Sequence, residues 1–325
     1  MIVTSSCMAK RNNKVLLDLY KSYLNYFWLR PENAILSCFR ALDLRNIIKN
    51  YIDNKKKILD ISCGDGVFTF IALGGKLDTS FDAFKSIKNK KRSSKFDAYD
   101  HYDSNFKIKI LKKPKYKIET GTDWKKNLLR KSKKLNFYKN LLLHNNENKI
   151  NIPDNSYDLV FSNSAYWVKN IRQHLLDIKR LTKVNGYIYL QMKFKDSFLS
   201  TLVKNQSKTN FGKKFEEVID GGRLKTWKGI KTKKEFDKII RNIDGIKIIS
   251  YKPLYGDLIS LIWDIGFRPL FKPLFEMANN LDKSRYIKVK KDWLNIIYEI
   301  SENYIKNYKP LPERAMEYVI LLKKK

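Results

Sequence analysis

The sequence predicts an α/β fold, a parallel sheet flanked by helices, on three observations. Short β-branched or aromatic runs recur along the chain, each followed by a helical pattern. Residues 157–192 read as a complete crossover of strand, helix and strand. Residues 58–69, ILDISCGDGVFT, join a strand to a helix through two glycines one residue apart.

Taken in order, residues 15–49 carry apolar positions at helical spacing, interrupted at Pro31, and form a helical cap within 1–50. The first strand is 57–62 (KILDIS) and the second 117–122 (KIETGT), followed by a helix over 124–135 and a third strand at 140–143 (NLLL). The fourth strand is 157–162 (YDLVFS). Ile171, Leu175, Leu176, Ile178 and Leu181 then repeat at helical spacing, and Asn185-Gly186 punctuates the end of that helix before a fifth strand at 186–192. Residues 245–250 and 318–322 bring the strands to seven. Residues 254–312 are mostly helical, with prolines at 269, 273, 310 and 312, and residues 83–115 are irregular. The expected organisation is one domain over 51–325, with insertions at about 83–115 and 254–312.

A chain of 325 residues with 43% hydrophobic content suffices for one large domain with appendages. Sixty-six Lys+Arg against 33 Asp+Glu give a formal charge of +33, and only 13 of the cations are arginine. Two explanations stay open: an anionic partner, or the codon bias of an AT-rich genome, which raises lysine, asparagine, isoleucine and tyrosine together. Residues 83–140 hold 19 Lys+Arg and 5 Asp+Glu, including the cluster Lys88, Lys90, Lys91, Arg92 and Lys95. That segment is either a solvated face or a contact for an anionic substrate or nucleic acid.

No apolar run reaches the ~18 residues of a membrane helix, since 258–271 is interrupted by Asp264 and Arg268. Residues 1–14 show no apolar signal core. Cys7, Cys38 and Cys63 are irregularly spaced, so neither a disulfide framework nor a metal site is expected, and a cytoplasmic location is.

The sharpest chemical signal is Asp60-Ile61-Ser62-Cys63-Gly64-Asp65-Gly66. Glycines there let the backbone turn and approach a ligand, while the following helix start offers unpaired N–H groups. A dinucleotide fingerprint would need glycine at position 69, where Thr69 stands, so a nicotinamide or flavin cofactor is disfavoured. The segment resembles the first motif of the class I S-adenosylmethionine-dependent methyltransferases, acidic-x-Gly-x-Gly-x-Gly, with Ser62 replacing the first glycine. The resemblance implies a Rossmann-like seven-stranded sheet with S-adenosylmethionine as cofactor. It also implies that Gly64 and Gly66 pass under the methionine part, and that Asp60 orders the loop or contacts the amino group.

In that family an acidic residue ending the second strand binds both ribose hydroxyls. Asp82 has the ordinary spacing, 16 residues after Gly66, but lies in a poor strand. Asp123 ends a good strand and precedes a good helix, and with Trp124 it is the preferred candidate. Asn145, after the third strand, would accept from the adenine amino group. Residues 152–192 are similar to the fourth- and fifth-strand region of small-molecule methyltransferases. There Ser162, Asn163 and Ser164 face the sulfonium end, Tyr166 and Trp167 lie near the methyl or adenine unless they are core, and Asn185 replaces a turn glycine.

Two absences narrow the acceptor. Residues 162–166 (SNSAY) are not the Asn/Asp-Pro-Pro-Tyr/Phe tetrapeptide used on base amines, and no cysteine follows Cys63 to serve as a nucleophile for carbon-5 methylation. Methyl transfer needs mainly alignment, and a base only for a poorly acidic hydroxyl. His101, between Asp100 and Asp103, and His174 are the weak base candidates, and His144 would cap the third strand. Arg223 and Arg268 could hold an anionic acceptor or make structural ion pairs. Trp263, Phe267, Phe271, Phe275 and Met277 read as a helical cap, or as an entrance for a lipid-linked acceptor with peripheral membrane contact.

Residues 30–34, 220–223 and 261–277 further resemble uncharacterised bacterial methyltransferases associated with surface-polysaccharide biosynthesis. The resemblance implies methylation of a small molecule or glycan, at oxygen. The alternatives are an RNA or ribosome-associated methyltransferase, and a non-catalytic protein that binds S-adenosylmethionine.

Overall fold

A computed structural model describes residues 5–53, 55–84, 100–102, 106–198, 226–256, 270–310 and 315–325, with residues 214, 259 and 262. The lysine cluster at 88–95, Asp103, Arg223, Trp263, Phe267 and Arg268 lie outside these residues.

The chain opens with α1 (Ser5–Tyr26) and α2 (Pro31–Tyr51), then β1 (Ile58–Ile61), α3 (Val67–Ala72) and the short β2 (Lys76–Leu77) and β3 (Ile110–Lys112). Next come β4 (Ile118–Asp123), α4 (Lys126–Leu135), β5 (Tyr138–Leu143), β6 (Tyr157–Ser162), α5 (Ile171–Leu181) and β7 (Thr182–Lys193). After α6 (Lys195–Phe198) follow α7 (Lys233–Arg241), β8 (Ile246–Gly256), α8 (Phe271–Asn279), α9 (Lys283–Asn307) and β9 (Ala315–Lys324).

Seven strands form one sheet in the order β5-β4-β1-β6-β7-β9-β8, and β2 pairs with β3 in a separate antiparallel ribbon. The ladders from β5 to β7 are parallel, whereas β9 runs antiparallel to both β7 and β8. The expected parallel sheet is therefore mixed. β9 is the reason: after the helical excursion through α8 and α9 the chain returns from the carboxyl edge and fills the gap between β7 and β8. This is an α/β, Rossmann-like architecture.

Burial explains the strand choice. All four residues of β1 are buried, and β6 is buried except for Asp158, as strands covered on both faces must be. From β1 the chain moves outward to β4 and β5, then returns to β6 and β7 on the other side, so the order reverses between β1 and β6. Open α/β sheets bind ligands at such a switch point, outside the carboxyl ends of the strands. The turn expected at 183–186 lies inside the run of β7. There Asn185 takes φ +62°, and a Cβ on Gly186 would stand 2.9 Å from the Lys183 carbonyl, where the β6 pairing shifts register.

The N-terminal helices pack on the sheet. α2 starts with Pro31 in its first turn and carries Glu32 there and Lys49 in its last turn, matching the helix dipole. It is buried on most sides, and Tyr189 of β7 donates to Asp43 Oδ2 at 2.7 Å. α9, capped by Asp282 accepting from the Arg285 N–H at 2.9 Å, lies along α1, where Tyr20 and Ser301 hydroxyls meet at 2.7 Å. No helix among the described residues is long and apolar enough to cross a membrane.

Candidate functional site

The loop after β1 bends through three consecutive left-handed positions at alternate residues: Ser62 (φ +60°), Gly64 (φ +61°) and Gly66 (φ +77°). Its two glycines serve different ends. A Cβ on Gly66 would stand 2.7 Å from both Ser132 Oγ and a Tyr138 ring carbon, so Gly66 is demanded by packing against α4 and β5. A Cβ on Gly64 would meet nothing within 4 Å, which leaves a cradle of bare backbone open to a ligand.

Asp60 braces this loop from beneath. Its Oδ2 accepts from Thr69 Oγ1 at 2.6 Å and from the Tyr138 hydroxyl at 2.7 Å. Burial pushes its carboxyl up to about 6, against the opposing pull of those two hydrogen bonds. Above the loop, the Tyr26 hydroxyl of α1 donates to Asp65, which also accepts from the Val67 N–H at 3.1 Å. The helical cap thus touches the glycine loop directly.

Of the two candidate ribose carboxylates, Asp123 ends β4 beside β1 and accepts from the Gly64 N–H at 3.0 Å and the Lys125 N–H at 2.8 Å. Burial raises its carboxyl, and these two N–H donors lower it in part. Asp82 lies in an irregular segment and not in a strand, and Lys290 reaches it at 2.9 Å and Tyr286 at 3.0 Å, both from α9. Asp82 is fully buried in that tie between α9 and the segment after β2. Trp124 follows Asp123 and is 64% exposed, with the Lys125 ammonium 5.4 Å from its ring centre.

After β5 the two asparagines face different ways. Asn145 is exposed, its Oδ1 accepting from the Glu147 N–H at 3.1 Å. Asn146 instead turns to the loop, where its Nδ2 donates to Ser62 Oγ at 2.8 Å. Ser162 is buried and Asn163 half-buried. Thr122 Oγ1, Asn146 Oδ1 and Ser164 Oγ are buried with no hydrogen-bond partner among the described residues. Buried polar atoms are normally paired. Three orphans at the ends of β4, β5 and β6, beside an open glycine cradle, fit a polar ligand of adenosyl type. Nothing in the sequence separated Asn146 from Asn145.

His174, on α5, is buried rather than at a solvent edge, and burial holds its imidazole down to about 4. His144 is likewise lowered by burial, with Asp177 acting in the opposite sense on both rings. Both are therefore neutral at pH 7. His101 is also buried, not the exposed residue that its polar surroundings suggest. Its neighbours Tyr102 and Phe106 pack towards α4, with Arg130 5.6 Å from the Tyr102 ring centre and Lys131 5.7 Å from that of Phe106.

Beyond β6 the site meets an aromatic wall. Tyr166 is buried against Trp227 with ring centres 5.2 Å apart, and Trp167 is 6.1 Å from Trp227. Behind it, at the ends of β7 and β8 and the start of β9, lies a buried polar network. The Lys193 ammonium donates to the Tyr255 hydroxyl at 2.6 Å, Tyr255 donates to Glu317 Oε2 at 2.6 Å, and Glu317 accepts from both Nε and a terminal nitrogen of Arg40. Burial alone would raise Glu317, but Arg40 and Lys193 hold it below the usual carboxylate range. No group of three or more His, Cys, Asp or Glu residues able to hold a metal occurs among the described residues.

Residues 104–190, from the segment before β3 to β7, match the model of a methyltransferase domain. No curated protein sequence matches the chain. Among solved structures, a candidate sarcosine dimethylglycine methyltransferase from Galdieria sulphuraria is similar at 12% identity and a TM-score of 0.47, covering 91% of this chain and 88% of that one. A methyltransferase dependent on S-adenosylmethionine from Thermotoga maritima aligns at 13% identity and 0.43, over 89% and 92%. The [4+2]-cyclase SpnF aligns at 13% identity and 0.44, over 89% and 81%. At these scores the fold rests on the strand order above and not on the neighbours.

Proposed function

We propose that this chain, which matches a methyltransferase domain over residues 104–190, uses S-adenosylmethionine and transfers its methyl group to an oxygen of a small molecule or glycan. The observation that carries the donor half is the cradle at Gly64, where a Cβ would meet nothing within 4 Å, directly hydrogen-bonded to the carboxylate of Asp123. The Asp123 oxygens would take the ribose hydroxyls, and Asn146, Ser164 and Thr122 would pair with the polar edge of the nucleoside. Asp60 supports the loop from its buried position, and Ser162 and Asn163 stand at the end of the adjoining strand. Bound there, S-adenosylmethionine supplies a methyl group activated on a sulfonium, so the chain's main task is to align an acceptor oxygen with it.

Several features favour oxygen over a nucleobase atom. The backbone after β6 carries Ser162 to Tyr166 without the proline pair that a base-amine site needs. Cys38 and Cys63 are both buried, and burial pushes both thiols up, so neither offers a thiolate for attack on a pyrimidine. Burial of His174 and half-burial of His144 lower both imidazoles and make them weak bases, which suits an acceptor whose hydroxyl needs little assistance.

Calorimetric titration with S-adenosylmethionine and S-adenosylhomocysteine tests the donor half, followed by transfer of labelled methyl groups to fractionated acceptors. Micromolar binding and label in a small-molecule or glycan fraction are expected. Absence of binding to folded protein would sink the reading. Label in RNA would replace the acceptor class, and tight binding without turnover on any fraction would leave a non-catalytic cofactor-binding protein.

A further inference from the structure

The positive charge of this chain is not spread evenly. Residues 106–139 contain 13 Lys+Arg and 2 Asp+Glu, so a third of the net charge of +33 lies in about a tenth of the sequence. Codon bias acts on the whole chain and does not by itself produce such a concentration. The strand order places these residues together at one side of the molecule, because β4 and β5 end the sheet and α4 covers them.

Eleven of the 13 cations are exposed, and two of those are paired, Lys109 with Asp78 at 3.1 Å and Lys139 with Glu119 at 2.8 Å. On α4, Lys126, Arg130, Lys133 and Lys134 recur at helical spacing on the exposed face. Leu129 and Leu135 turn the other way, into the core. The helix carries this row for about 12 Å, from the mouth beside Asp123 and Trp124 down towards the opposite end of β4. There the row is continued by Lys113, Lys115 and Lys117, exposed at alternate positions while Pro114 and Tyr116 are half-buried.

We propose that this basic edge, formed by α4 and the approach to β4, is the docking track for an acidic glycan chain, a linear polymer bearing carboxylates or phosphates at regular intervals. The proposal rests on the glycan reading of the acceptor above and deepens it: the polymer lies along the track with the residue to be methylated at the mouth. A track of this length serves an extended partner, since a small acceptor would be contained within the mouth. Ten of the 11 exposed cations are lysine, as are 53 of the 66 Lys+Arg in the chain, so they neutralise charge as points and set no preference among anions. The aromatic content selects the class. Trp124 is the one exposed aromatic residue from 106 to 139, whereas single-stranded nucleic acid is held by a succession of stacking platforms along its groove.

The test is fluorescence anisotropy of the full chain with three labelled oligomers of equal charge: a polygalacturonate, a poly(glycerol phosphate) and an oligouridylate. Two double variants, K133Q/K134Q and K113Q/K115Q, sample the two ends of the track, and K288Q/K291Q on α9 is the control. Binding of one of the two non-nucleic oligomers at physiological salt is expected, weakened on the order of tenfold by each track variant and unchanged in the control. Preference between the carboxylate and phosphate oligomers identifies the anion. Tighter binding of the oligouridylate would overturn the proposal in favour of a nucleic acid, and unchanged binding in both track variants, or no glycan binding at low salt, would also overturn it. Titration with S-adenosylmethionine and circular dichroism of the same variants show that they fold. Loss of cofactor binding in the wild type with track binding intact would sink the donor reading alone.

Discussion

On the β4–β1 side of the sheet, polar residues act close to the strands that present them, whereas on the β7–β9–β8 side they are joined across most of the chain. Around the glycine loop, Asp60 is satisfied by Thr69 and Tyr138, and the loop backbone by Asp123. Around Glu317 the partner Arg40 is 277 residues away in α2, and Lys193 and Tyr255 come from two other elements. Both sides hold orphaned polar atoms among the described residues, Thr122 Oγ1 and Asn146 Oδ1 on the first and Gln191 Oε1 on the second. What distinguishes the first is the open backbone at Gly64 beside its orphans, whereas the carboxylate at the centre of the second is fully paired.

The strongest way to break this comparison is to open the paired side. Glu317→Ala would leave Arg40 and Lys193 buried beside a vacated carboxylate, and a loss of about 3 to 5 kcal/mol is expected in urea unfolding. Glu317→Gln, which keeps an acceptor for Arg40, should lose less. A change below about 1 kcal/mol for the alanine variant would show that the network is not what fixes α2 to the sheet.

The two aspartates that compete for the ribose sharpen it next. Asp82→Ala leaves the Lys290 ammonium buried without its carboxylate and should cost stability by about 3 kcal/mol while leaving cofactor affinity unchanged. Asp123→Ala should do the reverse, weakening S-adenosylmethionine binding by roughly 1 to 3 kcal/mol in calorimetry. An impaired affinity in the Asp82 variant with normal affinity in the Asp123 variant would exchange their roles.

The same contrast divides the glycines. Gly66→Ala drives a Cβ into Ser132 and Tyr138 and adds left-handed strain, so about 2 to 3 kcal/mol of stability should go. Gly64→Ala has room and carries only the strain of about 1 kcal/mol. Its larger effect should appear in cofactor affinity. Equal losses of stability would mean that the cradle at Gly64 is closed in solution.

What could be read from the sequence follows the same division. The seven strands of the main sheet were legible because most are short β-branched or aromatic runs, and 157–162 coincides with β6 to the residue, whereas the short β2 and β3 were not. The loop was legible because left-handed backbone at Gly64 and Gly66 leaves a compositional mark. The antiparallel entry of β9 was not, since a strand's direction relative to its neighbours is set by the connection and not by its own residues. The Arg40, Glu317 and Lys193 network and the Asp82 to Lys290 tie were hidden for a related reason: each partner is an ordinary charged residue until the fold brings it to the other. The burial of His101 was hidden because local polarity says nothing of which side of a turn faces inward.

Ser62 lies on the border between the two kinds of evidence, and the smallest effect should occur there. It holds φ +60°, a conformation that costs a residue with a Cβ about 1 kcal/mol and glycine almost nothing. Its hydroxyl also accepts from Asn146, a bond worth about 1 kcal/mol, and this bond fixes the side chain whose Oδ1 is left for the ligand. Ser62→Gly relieves the strain and loses the bond, so stability should change by less than about 1 kcal/mol. Ser62→Ala loses the bond and keeps the strain, so it should be the less stable of the two by up to about 1 kcal/mol, the difference being the strain less the extra unfolded-state entropy of glycine. In both, Asn146 is released and cofactor affinity should fall alike. If the glycine variant instead binds S-adenosylmethionine more tightly than the wild type, the serine hydroxyl obstructs the cradle, and its bond to Asn146 belongs to the architecture and not to the site.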